Sequence, residues 1–133
     1  MPTALPKLRQ GDVVRVEVSD SNGNKKIRPA IVLTDPEGIL PDSVCTVVAV
    51  SSKVPPDGVP LNQVELPWAR PPRSSHSGLV KPSVAICNWI VNVKLSEVIE
   101  KMGFIPSKIM LSIIQQAGFP KEGKKKGGVQ GSP

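Results

Sequence analysis

The stretch KKIRPAIVLT, residues 25–34, sets an arginine against a proline and follows it with an almost wholly apolar run. Pro29 has no amide hydrogen and a fixed φ, so it suits the first residue of a strand and not its middle. The run therefore reads as a buried strand entered at Pro29 and ending at Thr34, with Ala30, Ile31, Val32 and Leu33 in the core. Any polar residue can open a strand. Here a guanidinium stands at the lip of the core, behind two lysines and the turn-forming SDSNGN.

On the N-terminal side, Gly11 and Asp12 mark a turn. VVRVEV at 13–18 then alternates, with Val14, Val16 and Val18 on one face and Arg15 and Glu17 on the other. That is the pattern of a half-buried strand. On the C-terminal side, DPEGILPD reads as a turn and SVCTVVAVSS at 43–52 as a third strand rich in β-branched residues. LNQVELP at 61–67 alternates, pointing Leu61, Val64 and Leu66 inward. WARPPRSSHSG forms a long loop carrying Arg70, Arg73 and His76. SVAICNWIVNV at 83–93 reads as a central strand.

KLSE at 94–97 suits a short helical turn. VIEKMGFI at 98–105 fits strand or helix, with Gly103 weakening the helix. PSKIMLSIIQQAGF, from residue 106, is the best helix: Ile109, Ile113 and Ala117 share a stripe with Met110 and Ile114 beside it. Pro106 or Ser107 starts it, and Gly118 with Pro120 stops it. Short strands with polar turns and one C-terminal helix predict a mainly β fold, a small barrel. The missing alternation of strands with long helices argues against a parallel α/β sheet.

The chain has 133 residues, 15 of them proline and 11 glycine, which suits one domain of short, punctuated elements. We expect that domain over residues 1–120 and a disordered basic tail over 121–133, where KEGKKKGGVQGSP supplies almost nothing to a core. The tail holds half of the net charge of +6. The body is thus only mildly basic, which fits a nucleic-acid partner and fits an ordinary soluble surface equally well. MPTALPKLRQGD is too short and polar for a signal peptide, and no apolar run reaches the ~20 residues of a membrane span. The expectation is a cytoplasmic protein with no membrane association.

Composition also removes chemistries. Cys45 and Cys87 each sit in an apolar run, the usual place of buried free thiols. With no CxxC and a single histidine, a zinc site is disfavoured. His76 alone cannot supply the two imidazoles of a histidine-pair ribonuclease. Aromatics are 3% and tyrosine is absent, so a sheet that stacks bases on several exposed rings is disfavoured. What remains are cations and hydroxyls at strand ends. Arg28 opens one strand; Ser51 and Ser52, followed by Lys53, close the next. If the two are antiparallel neighbours, Arg28 converges on Ser51. A guanidinium and a hydroxyl at a barrel rim suit a phosphate. They equally suit an arginine that caps a barrel and serines that end a strand.

The stretches RQGDVVRVEV, RPAIVLT, TVVAVSSK, QVELP and SGLVKPSVAICNWIVNV, in this order and with the helix at 108–117, resemble the MazF/PemK family of bacterial toxin–antitoxin toxins. The resemblance runs from about Arg9 to Gly118. It implies a small SH3-like barrel that forms a homodimer, a sequence-specific endoribonuclease that cuts single-stranded RNA, often mRNA, without a metal or cofactor. It also implies an antitoxin partner whose tail blocks the RNA groove. The family's catalytic arginine falls on Arg28, and its catalytic threonine or serine on Ser51. Lys25, Lys26, Ser52, Lys53, Ser77, Lys81, Asn88 and Trp89 are then the expected RNA contacts, although Trp89 fits a core position as readily as a stacking one.

The chain also departs from the pattern. Gly23 and Asn88 stand where many members carry acidic residues, so two candidate general bases are missing. A catalytically degenerate RNA- or protein-binding barrel is therefore an alternative. A second is a topoisomerase poison of the CcdB type, although the Trp-Gly-Ile end of its final helix is absent here.

Overall fold

In the computed structural model, which describes residues 7–19, 22–54, 57–58 and 62–118, Pro29 stands inside its strand instead of opening it. Strand β2 (Lys25–Thr34) pairs antiparallel with β1 (Asp12–Ser19) along its length, from Ser19↔Lys25 through Arg15↔Pro29 to Val13↔Ile31. Its pairing with β3 (Val44–Ser51) extends only from Thr34 to Ala30, opposite Ala49. Residues 25–29 thus form a two-stranded ribbon with β1 and present a free edge toward β3. A sheet edge is where a proline is tolerated, because no ladder bond is demanded there.

The remaining strands are β4 (Gln63–Glu65), β5 (Val84–Lys94) and β6 (Val98–Phe104), and α1 spans Ser107–Ala117. One six-stranded sheet has the order β4-β5-β3-β2-β1-β6, with every pairing antiparallel. The mainly β class with a C-terminal helix holds. The expected barrel does not close: β4 and β6 are the sheet's edges, and no ladder joins them.

Two cores explain the apolar run of β2. On one face, Ile31, Leu33, Val48 and Val50 pack with Met110, Ile113 and Ile114 of α1. On the other, Ala30, Val32, Cys45 and Val47 pack with Val14, Val16, Val18, Leu95 and Val98. The middle of β2 is buried on both faces, so it reads as a continuous apolar stretch and not as an alternating one. Leu8, ahead of β1, joins the second core. Val64 is half-buried and Leu66 buried, whereas Leu61 and the tail from Lys121 lie outside the described residues.

The ambiguous stretch 98–105 is a strand because it completes the ladder of β1, with Val98 opposite Val16 and Gly103 opposite Val13. Gly103 is there for closeness, not flexibility. A Cβ at this position would collide with the carbonyl oxygen of His76, so only glycine lets the 76–78 turn lie on β6. The His76 carbonyl accepts the Phe104 amide at 2.8 Å, and the His76 ring stacks on Phe104 with centroids 5.0 Å apart. Residues 95–97 form the expected short helical turn, and α1 ends at Gly118 in the left-handed region, φ 78°. Among the described residues no helix is long and apolar enough to cross a membrane.

Candidate functional site

The register of β2 and β3 decides where the arginine at the lip points. The ladder between β2 and β3 ends at Ala30 and Ala49, and Arg28 and Ser51 lie two residues beyond it on their strands. Side chains alternate along a strand, and Arg28 and Ser51 share the face of Ala30 and Val47. The two strands are antiparallel neighbours, as the sequence suggested, but their ladder stops short of Arg28 and Ser51.

A distortion in β5 brings the third member. Val48 pairs with Ile90 but Val50 pairs with Ala85, so residues 86–89 of β5 stand against Ala49 alone. Such a bulge bends a strand and re-aims its side chains. Trp89 packs against the core around Ala30 and Val47, and its ring lies under Arg28, with Cζ 4.8 Å from the ring centroid. Its body belongs to the core, and one face of its ring holds a guanidinium.

Arg28 itself is half-buried. Its Nε is buried and has no hydrogen-bond partner among the described residues, and none of their carboxylates pairs with it. A buried donor left unmade costs about 1–3 kcal/mol. Ser51 Oγ accepts the Lys53 amide at 3.1 Å, which leaves its own proton free to donate.

The opposite face of the same lip holds a pocket of about 270 Å3. Ile27, Pro29, Val50, Leu79, Val80 and Met102 supply its apolar walls; Arg28, Ser52, Lys81 and Ser83 supply its polar groups. Ser83 Oγ donates to the Lys81 carbonyl at 2.9 Å and holds that wall in place. No carboxylate lines the pocket. An anion entering it meets cations and hydroxyls without a competing negative charge.

The residues expected to bind RNA are thus divided. Arg28 meets the Trp89 ring and also lines the pocket with Ser52 and Lys81, whereas Ser51 ends β3 and is not among the residues lining that pocket. Lys25 and Lys26 are exposed along the ribbon, Lys53 just beyond β3, and Asn88 on the bulge of β5. Ser77 does not belong with them. It is fully buried, its hydroxyl donates to the Pro67 carbonyl at 2.7 Å and accepts the Leu79 amide at 3.1 Å. Its hydroxyl braces a loop from inside and offers nothing to a ligand. The sequence reading missed Ser83, Ile27, Val80 and Met102. Met102 comes to the pocket from β6, far along the chain, and no local pattern signals that approach.

The two positions without carboxylates are open. Gly23 is exposed at φ 84°, with nothing within 4 Å of the place a Cβ would take, and Asn88 is exposed. Among the described residues no group of three or more His, Cys, Asp or Glu side chains is placed to hold a metal ion. Both thiols are buried and free, and burial pushes the pKa of Cys45 and Cys87 up.

Residues 9–117 match the family model described as the PemK-like, MazF-like toxin of type II toxin–antitoxin systems. No curated protein sequence matches. Among solved structures, MazF from Deinococcus radiodurans is similar at a TM-score of 0.64 and 19% identity, covering 85% of this chain and 94% of that one. A MazE–MazF structure from the same organism gives 0.58 and 19%, over 85% and 93%. An endoribonuclease in complex with its cognate antitoxin, from a mycobacterial species, gives 0.52 and 12%, over 86% and 98%. At these identities the likeness is one of fold.

Proposed function

The chain belongs to the PemK-like, MazF-like toxin family of type II toxin–antitoxin systems, and from that premise we propose that it is an endoribonuclease that cuts single-stranded RNA without a metal ion. The observation that carries the reading is the Arg28 guanidinium: held over Trp89, with a buried donor that no described residue satisfies.

The chemistry fits these groups. A ribose 2′-hydroxyl, its proton passing to solvent hydroxide or water, attacks the adjacent phosphorus in line and expels the 5′ oxygen, which takes a proton from solvent, leaving a cyclic phosphate and a 5′-hydroxyl end. Charge builds on the non-bridging oxygens. Arg28 offers planar paired donors to them, and Ser51 donates its free proton. A donor of this kind contributes ~3 kcal/mol of barrier reduction. The nucleophile comes from the substrate, so no cofactor is required. Lys81 and Ser52 across the lip hold a neighbouring phosphate, and Lys25, Lys26, Lys53 and Asn88 line its approach.

The MazE–MazF structure and the endoribonuclease–antitoxin complex support an antitoxin as the protein partner. The active form is a homodimer in a bacterial cytoplasm, with the RNA across the subunit boundary. Sedimentation at micromolar concentration tests the dimer; a monomer throughout counts against it.

Incubating the purified protein with mixed RNA in EDTA and sequencing the fragment ends tests the activity. Defined cuts with 5′-hydroxyl ends are expected. Cleavage only with added magnesium overturns the mechanism. One observation favours a second reading, a binding protein without catalysis: Gly23 and Asn88 leave the site without a carboxylate base. RNA binding without cleavage in this experiment selects it.

A further inference from the structure

The loop between β4 and β5 carries a second group of cations that the proposed chemistry does not use. Its stem is closed by two backbone bonds, Leu66 amide to Ser83 carbonyl and Ala69 amide to Leu79 carbonyl, both 3.1 Å. The buried Ser77 hydroxyl ties its two sides together. At the tip, the Arg73 amide donates to the Arg70 carbonyl at 2.9 Å across Pro71 and Pro72. Two prolines inside a four-residue turn leave little backbone freedom, so both arginines are presented on a rigid arm.

Beside them lies Trp68, packed on the α1-side core with Arg70 Cζ 5.7 Å from its ring centroid. A pocket of about 570 Å3 is lined by residues 68–73 alone, two of them arginines and none of them acidic. Neither arginine forms an ion pair among the described residues. A solvated surface arginine needs no such surroundings. An indole face, two guanidiniums and no carboxylate on a preorganised turn are what a base and its phosphate require. The position agrees: Leu79, which closes the stem against Ala69, is also a wall of the Arg28 pocket.

We infer that the Trp68–Arg70–Arg73 turn is a nucleotide subsite for single-stranded RNA flanking the cleaved bond, with Trp68 stacking the base and the arginines holding phosphate. The inference rests on the RNA reading above. Preorganisation matters because a rigid turn loses little freedom on binding. The long loop WARPPRSSH thereby becomes a specificity element instead of a spacer.

The test uses the full chain and a fluorescent single-stranded RNA 12-mer of mixed sequence, 2′-O-methylated so that it cannot be cut. Affinity is read by anisotropy across a salt series. Arg70→Gln with Arg73→Gln changes exposed side chains only and should preserve the fold. It should weaken binding about 5- to 50-fold and flatten the slope of log K against log salt by about 0.7 for each phosphate that is no longer neutralised. Trp68→Leu should weaken binding by at least about 5-fold with less change in slope. Parent binding with an unaltered affinity and slope in the double variant overturns this inference and leaves the nuclease reading intact. A parent that neither binds this RNA nor cleaves the unmethylated pool overturns both. Loss of binding to polyglutamate with RNA binding unchanged assigns the turn to an acidic protein and overturns the subsite.

Discussion

Arg28 and Trp89 form a stacked pair across β3: the guanidinium carbon lies 4.8 Å from the indole centroid, although β2 and β5 are not neighbours in the sheet. The bulge in β5 makes this possible by standing four residues against Ala49. The ring aims Arg28 without neutralising it, which an acidic partner would do.

Trp89→Leu should therefore lower single-turnover RNA cleavage by about 3- to 30-fold, the worth of a cation–π interaction of ~0.5–2 kcal/mol. Trp89→Phe, which keeps a ring, should recover part of the loss. Thermal melts of both variants separate this effect from unfolding. Equal rates in the two variants and the parent would leave the ring with a packing role alone.

Gly103→Ala should be among the most damaging single substitutions, because its Cβ meets the His76 carbonyl where β6 carries the 76–78 turn. A loss of about 3 kcal/mol or more is expected, lowering the melting temperature by roughly 10 °C or more. Gly23→Ala is the control. Its φ of 84° is strained for alanine but nothing stands within 4 Å, so its cost should be near ~1 kcal/mol.

The buried thiols give a pH prediction. Burial raises the pKa of Cys45 and Cys87 in the folded chain. The unfolded chain then ionises first, and unfolding releases protons above the ordinary thiol range. The thiol contribution to stability is complete below about pH 9 and is lost as pH rises beyond it. Native protein should react slowly with an aromatic disulfide reagent at about pH 8 and quickly once denatured. Fast reaction of both thiols in the native state would contradict their burial.

The pH dependence of cleavage tests the missing carboxylates. With glycine at 23 and asparagine at 88, the rate should rise with pH and show no inflection in the carboxylate range. An inflection near pH ~4–5 in the parent would mean that a carboxylate elsewhere in the chain serves as base.

Much of this is legible in the sequence because its causes are local. Alternation identifies β1, β-branched residues identify β3, and the Ile109–Ile113 stripe with Gly118 bounds α1. That β2 and β3 are antiparallel neighbours follows from their short connection. The departures have tertiary causes. Pro29 reads as a strand start because its own segment cannot show that the β3 ladder stops at Ala49 and leaves an edge. Ser77 reads as a surface hydroxyl, although the loop's own carbonyl and amide draw it inside. The approach of Trp89 to Arg28 depends on a bulge that no spacing announces. Closure of a barrel is a property of the β4 and β6 edges together, and neither strand's sequence reports on the other.

The central claim is that Arg28 acts on the phosphate and does not merely cap a strand. Arg28→Lys keeps the charge and most of the stem but loses the paired planar donors. The decisive measurement is the single-turnover cleavage rate of this variant in EDTA, on an RNA that the parent cuts, with the melting temperature taken alongside. The account predicts a rate lower by about 2–3 orders of magnitude with the fold intact. A variant that cleaves at nearly the parent rate would contradict it.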